Sequence, residues 1–274
     1  GFCLVGSEMC IRDRWSSDLL DDVNGVLITH LHSDHIADLG DLNLVTWVTR
    51  DRKQKLEVFG PEGINEVVSG FNLAFSRDSN FRYLHHGNQI ADPITAGMTA
   101  KEISDGSIIF EDDNLKISAF KVFHEPVEPA LGFRFEYKDR VLVISGDTRY
   151  DYGLIKSFKD ADILFCEVIS PKIVERFIKV ADEQNDYKLK KVLVDILDYH
   201  ITPLEAVDLA NEAMVKHLVF YHITPTLPTE IRFLSDKFFF EGVDEAIENW
   251  TASTDGTMVV LPSNSKEILI SKIN

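Results

Sequence analysis

From Val23 onward, short β-branched runs alternate with stretches of helical spacing. Val26-Leu27-Ile28-Thr29 reads as a short buried strand ending in a histidine-rich turn. Ala37 to Val48 places Leu39, Leu42, Val45 and Trp47 mostly on one side, the spacing of an amphipathic helix. Leu56–Phe59 is a second strand, closed by the turn Gly60-Pro61-Glu62-Gly63, which opens a helix predicted to end near Phe71. Residues 76–114 mix polarity with scattered Gly and Pro and predict loops and an irregular β-meander. Strands come next at Leu115–Phe123, Leu131–Tyr137 and Val141–Ser145, the last two joined at Lys138-Asp139, and again at Asp162–Glu167 and His217–Tyr221. Helices are predicted over Asp186–Leu197 and from Pro203 to Met214, where Thr202, Pro203 and Glu205 form a helix start. The order predicts a mixed α/β (α+β) chain with several antiparallel pairs, which a doubly wound parallel sheet fits poorly.

Composition narrows this further. The 274 residues are 45% hydrophobic, enough for a buried core, and 28 basic against 45 acidic side chains give a net charge of −17. No apolar run approaches the ~20 residues of a membrane helix. The acidity argues against a main role in gripping a phosphate backbone.

The first fourteen residues show neither helical nor strand period, and Leu4 to Arg14 resembles the in-frame translation of a transposase-type sequencing-library adapter. Residues 1–14 are therefore read as non-native and residues 15–274 as one domain lacking its natural N-terminus. Cys3 and Cys10 then drop out, leaving Cys166 as a buried strand residue. A single cysteine suits a reducing cytoplasm, with a lost leader peptide as the alternative.

The chemistry concentrates in Thr29-His30-Leu31-His32-Ser33-Asp34-His35, between a strand and a helix. His30 and His32, at i and i+2 of an extended segment, project to one side and can reach one ion. Asp34 and His35 come next, at the turn. Imidazole and carboxylate together suit zinc, with Mn or Fe as alternatives. Three further ligand types stand at predicted strand ends: His124 before Glu125-Pro126, Asp147 in Ser145-Gly146-Asp147-Thr148, and His222 before Ile223-Thr224-Pro225. Gly146 permits a sharp turn beneath Asp147.

With Tyr199-His200-Ile201-Thr202 added, these motifs in this order resemble the metallo-β-lactamase-fold hydrolases, in the RNase Z and type III arylsulfatase-like branch. The resemblance implies a four-layer αββα sandwich, here without its first strands, and two divalent metal ions, zinc first. One ion would take His30, His32 and His124, the other Asp34, His35 and His222, with Asp147 between them. It implies hydrolysis by a hydroxide bridging the metals. Asp34 is placed in the chemistry as well as in the ligand set, and His200 is assigned to bind a substrate oxygen or protonate the leaving group.

Other histidines are weaker candidates. Adjacent side chains diverge, so His85 and His86 are expected in a solvated or pocket-mouth loop, and His217 is read as structural. Phe233 and Phe238-Phe239-Phe240 are expected in the core or at a substrate rim.

Family enzymes that grip tRNA carry a long basic arm, whereas only 22 residues, filled by a tight hairpin, separate His124 from Asp147. Ala37-Asp38-Leu39-Gly40-Asp41-Leu42 also departs from the usual Gly-Leu-Pro-Gly-Leu type of run. With the negative charge, this favours a small-molecule anionic ester, a phosphodiester or aryl sulfate, over nucleic acid. RNase Z-like tRNA 3′ cleavage, lactone hydrolysis and a non-catalytic metal-stabilised binding module are the alternatives. Oligomeric state stays open, a homodimer being one option. With only Trp15 to Thr29 ahead of the histidines, an uncovered sheet edge is expected to make the chain poorly soluble alone.

Overall fold

The structure, a computed structural model, describes residues 2–3, 23–50, 52–226 and 232–273. The adapter-like stretch Leu4–Arg14 lies outside the described residues, as does the side chain of Phe233. The chain divides into two compact units, residues 1–107 and residues 108–274.

In the first unit, strands β1 (Phe2–Cys3), β2 (Gly25–Leu27), β3 (Leu56–Gly60) and β4 (Met98–Glu102) form one parallel sheet in that order. β1 gives the N-terminal segment a strand that its sequence pattern does not announce. The β2–β3 crossover carries the one-turn helix α1 (Ser33–Ile36) and α2 (Leu39–Thr49). Leu39, Leu42 and Val45 of α2 pack with Val26, Ile28, Leu56, Val58, Ile64, Val68 and Met98 in one core. Trp47 is also buried and donates its indole N–H to the Asp92 carbonyl at 3.0 Å.

Helix α3 (Ile64–His86) runs fifteen residues past the predicted end at Phe71. Its first turns are held by Ile64 and Val68; no proline interrupts the later turns, and Gly87, at φ +70°, caps the end by donating its N–H to Tyr83. The loop expected around residue 76 is therefore helix. His85 and His86 occupy the last turn rather than a loop, and their rings do not diverge but stack at 5.3 Å.

The second unit is built on a seven-stranded sheet, ordered β11-β10-β9-β8-β7-β6-β5. Its strands are β5 (Ile108–Glu111), β6 (Leu115–Val122), β7 (Ala130–Tyr137), β8 (Arg140–Ile144), β9 (Ile163–Ile169), β10 (Leu218–Thr224) and β11 (Trp250–Ala252). β5 to β8 pair antiparallel, and β8 to β11 pair parallel. Two antiparallel steps separate β6 from β8, so β6, β8, β9 and β10 all point the same way. Their C-terminal ends meet one edge.

Helices α4 (Ile155–Phe158), α5 (Pro171–Glu183), α6 (Tyr187–Asp195), α7 (Pro203–Glu212), α8 (Arg232–Phe239) and α9 (Val243–Ala246) complete the unit, with a hairpin of β12 (Thr257–Val260) and β13 (Leu269–Lys272). Thr202 opens α7 with the anticipated cap: its hydroxyl accepts from the Glu205 N–H, and the Glu205 carboxylate accepts from the Thr202 N–H. Phe239 and Phe240 are buried in the main core, where Phe240 lies 4.9 Å from Phe220 and 5.1 Å from Trp250. Cys166 is fully buried on β9. Among the described residues, no helix is long and apolar enough to cross a membrane.

Candidate metal centre

In the first unit, the histidine motif follows the end of β2. His30 is fully buried, and His32 is extended and forms the N-cap of α1. Nε2 of His30 lies 3.0 Å from Nδ1 of His32, and the His30 and His35 rings are 4.1 Å apart. Asp34 and His35 sit on the single turn of α1, with Asp34 Oδ2 3.3 Å from His35 Nε2. Extended backbone followed by one helical turn thus gathers the three imidazoles and the carboxylate.

In the second unit, the shared direction of β6, β8, β9 and β10 assembles a second cluster. His124 and Asp147 lie just past the ends of β6 and β8 and are almost wholly buried. Gly146, at φ +65°, makes the turn before Asp147. Thr148 joins the two strand ends: its hydroxyl accepts from the Phe123 N–H at 3.1 Å.

His222 is not at the end of its strand. β10 continues to Thr224, and its pairing with β9 slips between Tyr221 and Ile223, leaving His222 in a bulge at φ +45°. A bulge re-aims a side chain that regular alternation would direct elsewhere. Here it brings His222 Nδ1 to 3.7 Å from Asp147 Oδ1.

His200 lies in the loop before α7, its Nδ1 2.9 Å from Glu167 Oε1 and 4.0 Å from Asp147 Oδ2. Glu167 is a buried acid at this cluster that the sequence pattern does not single out. Its only signal is an acid inside the apolar run Ile163-Leu164-Phe165-Cys166-Glu167-Val168-Ile169. It is fully buried, and Oε1 also accepts from the Thr148 and Ile201 N–H groups at 3.0 and 3.3 Å. Burial, then the neighbouring Asp147 charge, pushes its carboxyl well above the usual range, against the pull of His222 and the two backbone donors.

His124, Asp147 and His200 each offer a ligand atom within 4.8 Å of the others, and so do Glu167, His200 and His222. The donors are nitrogen and oxygen, the types zinc accepts, and Oε2 of Glu167 is buried without a hydrogen-bond partner. The residues present therefore fit a divalent cation. His217 stands apart, hydrogen-bonded to Thr251 Oγ1 at 2.9 Å, as a structural histidine would be.

A mixed sheet whose co-directional strand ends gather histidines and buried carboxylates is the arrangement of a candidate metal centre in an α/β protein. The beta-lactamase superfamily domain matches residues 9–223. Ribonuclease Z of Mycolicibacterium gilvum (strain PYR-GCK) is 34% identical over 209 residues, 76% of this chain and 68% of that protein. The crystal structure of the metallo-beta-lactamase fold protein YhfI from Bacillus subtilis superposes with a TM-score of 0.57 at 17% identity, covering 92% of this chain and 83% of that one. The short form of human tRNase Z superposes at 0.54 and 21% identity, covering 81% and 80%. The chain belongs to the beta-lactamase superfamily, in its RNase Z-like branch, and is a metal-dependent hydrolase acting on ester bonds. A relative named for ribonuclease action does not fit the expectation set against nucleic acid.

Proposed function

We propose that the chain hydrolyses a small anionic ester, a phosphodiester or an aryl sulfate, using two divalent ions, zinc before Mn or Fe. The observation carrying this reading is the convergence of His124, Asp147, Glu167, His200 and His222 at one sheet edge of the second unit. By the family resemblance, His30, His32 and His124 would hold one ion, Asp34, His35 and His222 the other, and Asp147 both. When bound, such ions supply an activated water at neutral pH and stabilise charge on the attacking and leaving oxygens.

The remaining work falls to this chain's own groups. Oε1 of Glu167 holds His200 Nδ1, which leaves Nε2 as the nitrogen that faces substrate. From there His200 donates a proton to the leaving oxygen, its ring held for the transfer at Nδ1 by Glu167 Oε1. Asp34, largely exposed and beside His35, contributes to orienting the attacking water as well as to binding metal.

The substrate class is supported by the tight hairpin of β7 and β8 that fills the interval between His124 and Asp147, leaving no room there for a basic arm. The ribonuclease Z relatives favour a second reading, cleavage of an RNA phosphodiester. A panel of bis-aryl phosphate, aryl sulfate, lactone and pre-tRNA, assayed with the zinc-loaded chain, separates the two. Turnover of the small esters is expected; fast, site-specific pre-tRNA cleavage in their place would establish the second reading.

A further inference from the structure

We propose that Tyr199 is a positioning residue that sets the ligating orientation of His124, an inference that rests on the reading of His124 as a metal ligand. The Tyr199 backbone oxygen lies 2.9 Å from Nδ1 of His124. A carbonyl can only accept, so Nδ1 carries the proton, and Nε2 is the nitrogen left with a lone pair for a cation. A ligating imidazole is commonly oriented in this way through its second nitrogen.

The side chain of the same residue restricts the remaining freedom. The Tyr199 ring meets the His124 ring at 5.0 Å and 88°, and the His200 ring meets it at 5.2 Å and 64°. The Tyr199 and His200 rings are themselves 4.9 Å apart. The His124 imidazole is therefore flanked by two rings and fixed at Nδ1, so rotation about its Cβ–Cγ bond would break the hydrogen bond and disturb both ring contacts.

The loop that supplies this brace is itself fixed. Ile201 is fully buried, its carbonyl accepting from the Ile169 N–H at 2.8 Å and its own N–H donating to Glu167. Thr202 closes the segment with the capping box of α7. The loop thus braces His124 through Tyr199, while Glu167 on β9 holds His200, which the same loop carries.

The test is zinc affinity of the full chain, measured by competition with a chromophoric chelator, for the parent, Tyr199→Phe and Tyr199→Leu. Leu keeps bulk without the aromatic edge and is expected to weaken zinc binding on the order of 10- to 100-fold. Phe keeps the ring and is expected to stay within about twofold of the parent. Equal affinity of the Leu variant and the parent overturns the proposal, as does a Phe variant as weak as the Leu variant. A Leu variant that is unfolded when metal-free, by circular dichroism, assigns Tyr199 a purely structural role and overturns it too. His124→Ala reports on the underlying reading: unchanged zinc affinity there removes His124 from the ligand set, whereas a loss there with none in Tyr199→Leu rejects the brace alone.

Discussion

The pairing of His200 with Glu167 shows how one buried acid can fix the tautomer of a loop histidine. An imidazole in a loop has no preferred tautomer; a carboxylate oxygen 2.9 Å from Nδ1 gives it one, and the Thr148 and Ile201 N–H groups converging on that oxygen hold the acceptor still. Replacing His200 with Ala is expected to lower kcat by about 10²–10⁴-fold, the range for loss of a general acid, with zinc stoichiometry intact. Kinetics and metal analysis on the same preparation check this, and unchanged turnover would remove His200 from the chemistry. His200 was legible from its motif, whereas Glu167 was hidden because an acid inside a strand reads as a local exception until its partners are known. His222 was legible as a residue but not as a conformation: the bulge that aims it depends on pairing with β9, which is far away in sequence.

His217 carries a different kind of consequence. Half-buried beside Thr251, it is held by burial below its ordinary pKa of 6.5. Between the lowered folded value and 6.5, the unfolded chain binds more protons than the folded one, so this residue adds stability that is present above pH 6.5 and is lost as pH falls through the folded value. His217→Gln is expected to flatten that part of the pH dependence. Thermal melts of parent and variant from about pH 5 to 8 measure it; parallel curves would refute it.

At the scale of elements, the legible parts were those with a short-range cause. The strands of the β6–β7–β8 meander and the start of α7 arise from alternation, a turn pair and a capping box, all within a few residues. The length of α3 was not legible, because its later turns expose Leu73, Phe81 and Leu84 and so lack the one-sided burial that announces a helix. Its end is nevertheless local, at Gly87. β11 and the β12–β13 hairpin went unpredicted since their positions are set by pairing rather than by period. The α7 cap also bears on function, because it lies immediately after His200. Thr202→Ala removes the hydroxyl that accepts from Glu205 N–H and is expected to cost about 1 kcal/mol, typical for a lost N-cap. Since the same turn holds the His200 loop, kcat is expected to fall with the stability; denaturant melts alongside kinetics test the pair, and full activity at reduced stability would separate the cap from the loop.

At the scale of the whole molecule, the governing quantity is the net charge of −17. A protein that grips RNA through Lys and Arg releases counterions, and its affinity falls steeply as salt rises, by roughly 0.7–0.9 in log–log slope per phosphate contacted. This chain has 28 basic residues against 45 acidic ones, so the far field on a polyanion is repulsive, while a small ester with one charge feels mainly the groups at the site. Salt screens the far field first, with a Debye length of about 30 Å at 0.01 M and about 8 Å at 0.15 M. For a monoanionic ester, kcat/KM is therefore expected to change by less than about threefold between about 20 and 200 mM salt, and for RNA it is expected to rise. A steep fall in kcat/KM for RNA over the same range would reveal a cationic grip that outweighs the overall charge. It would place this chain with its ribonuclease relatives in substrate as well as in ancestry.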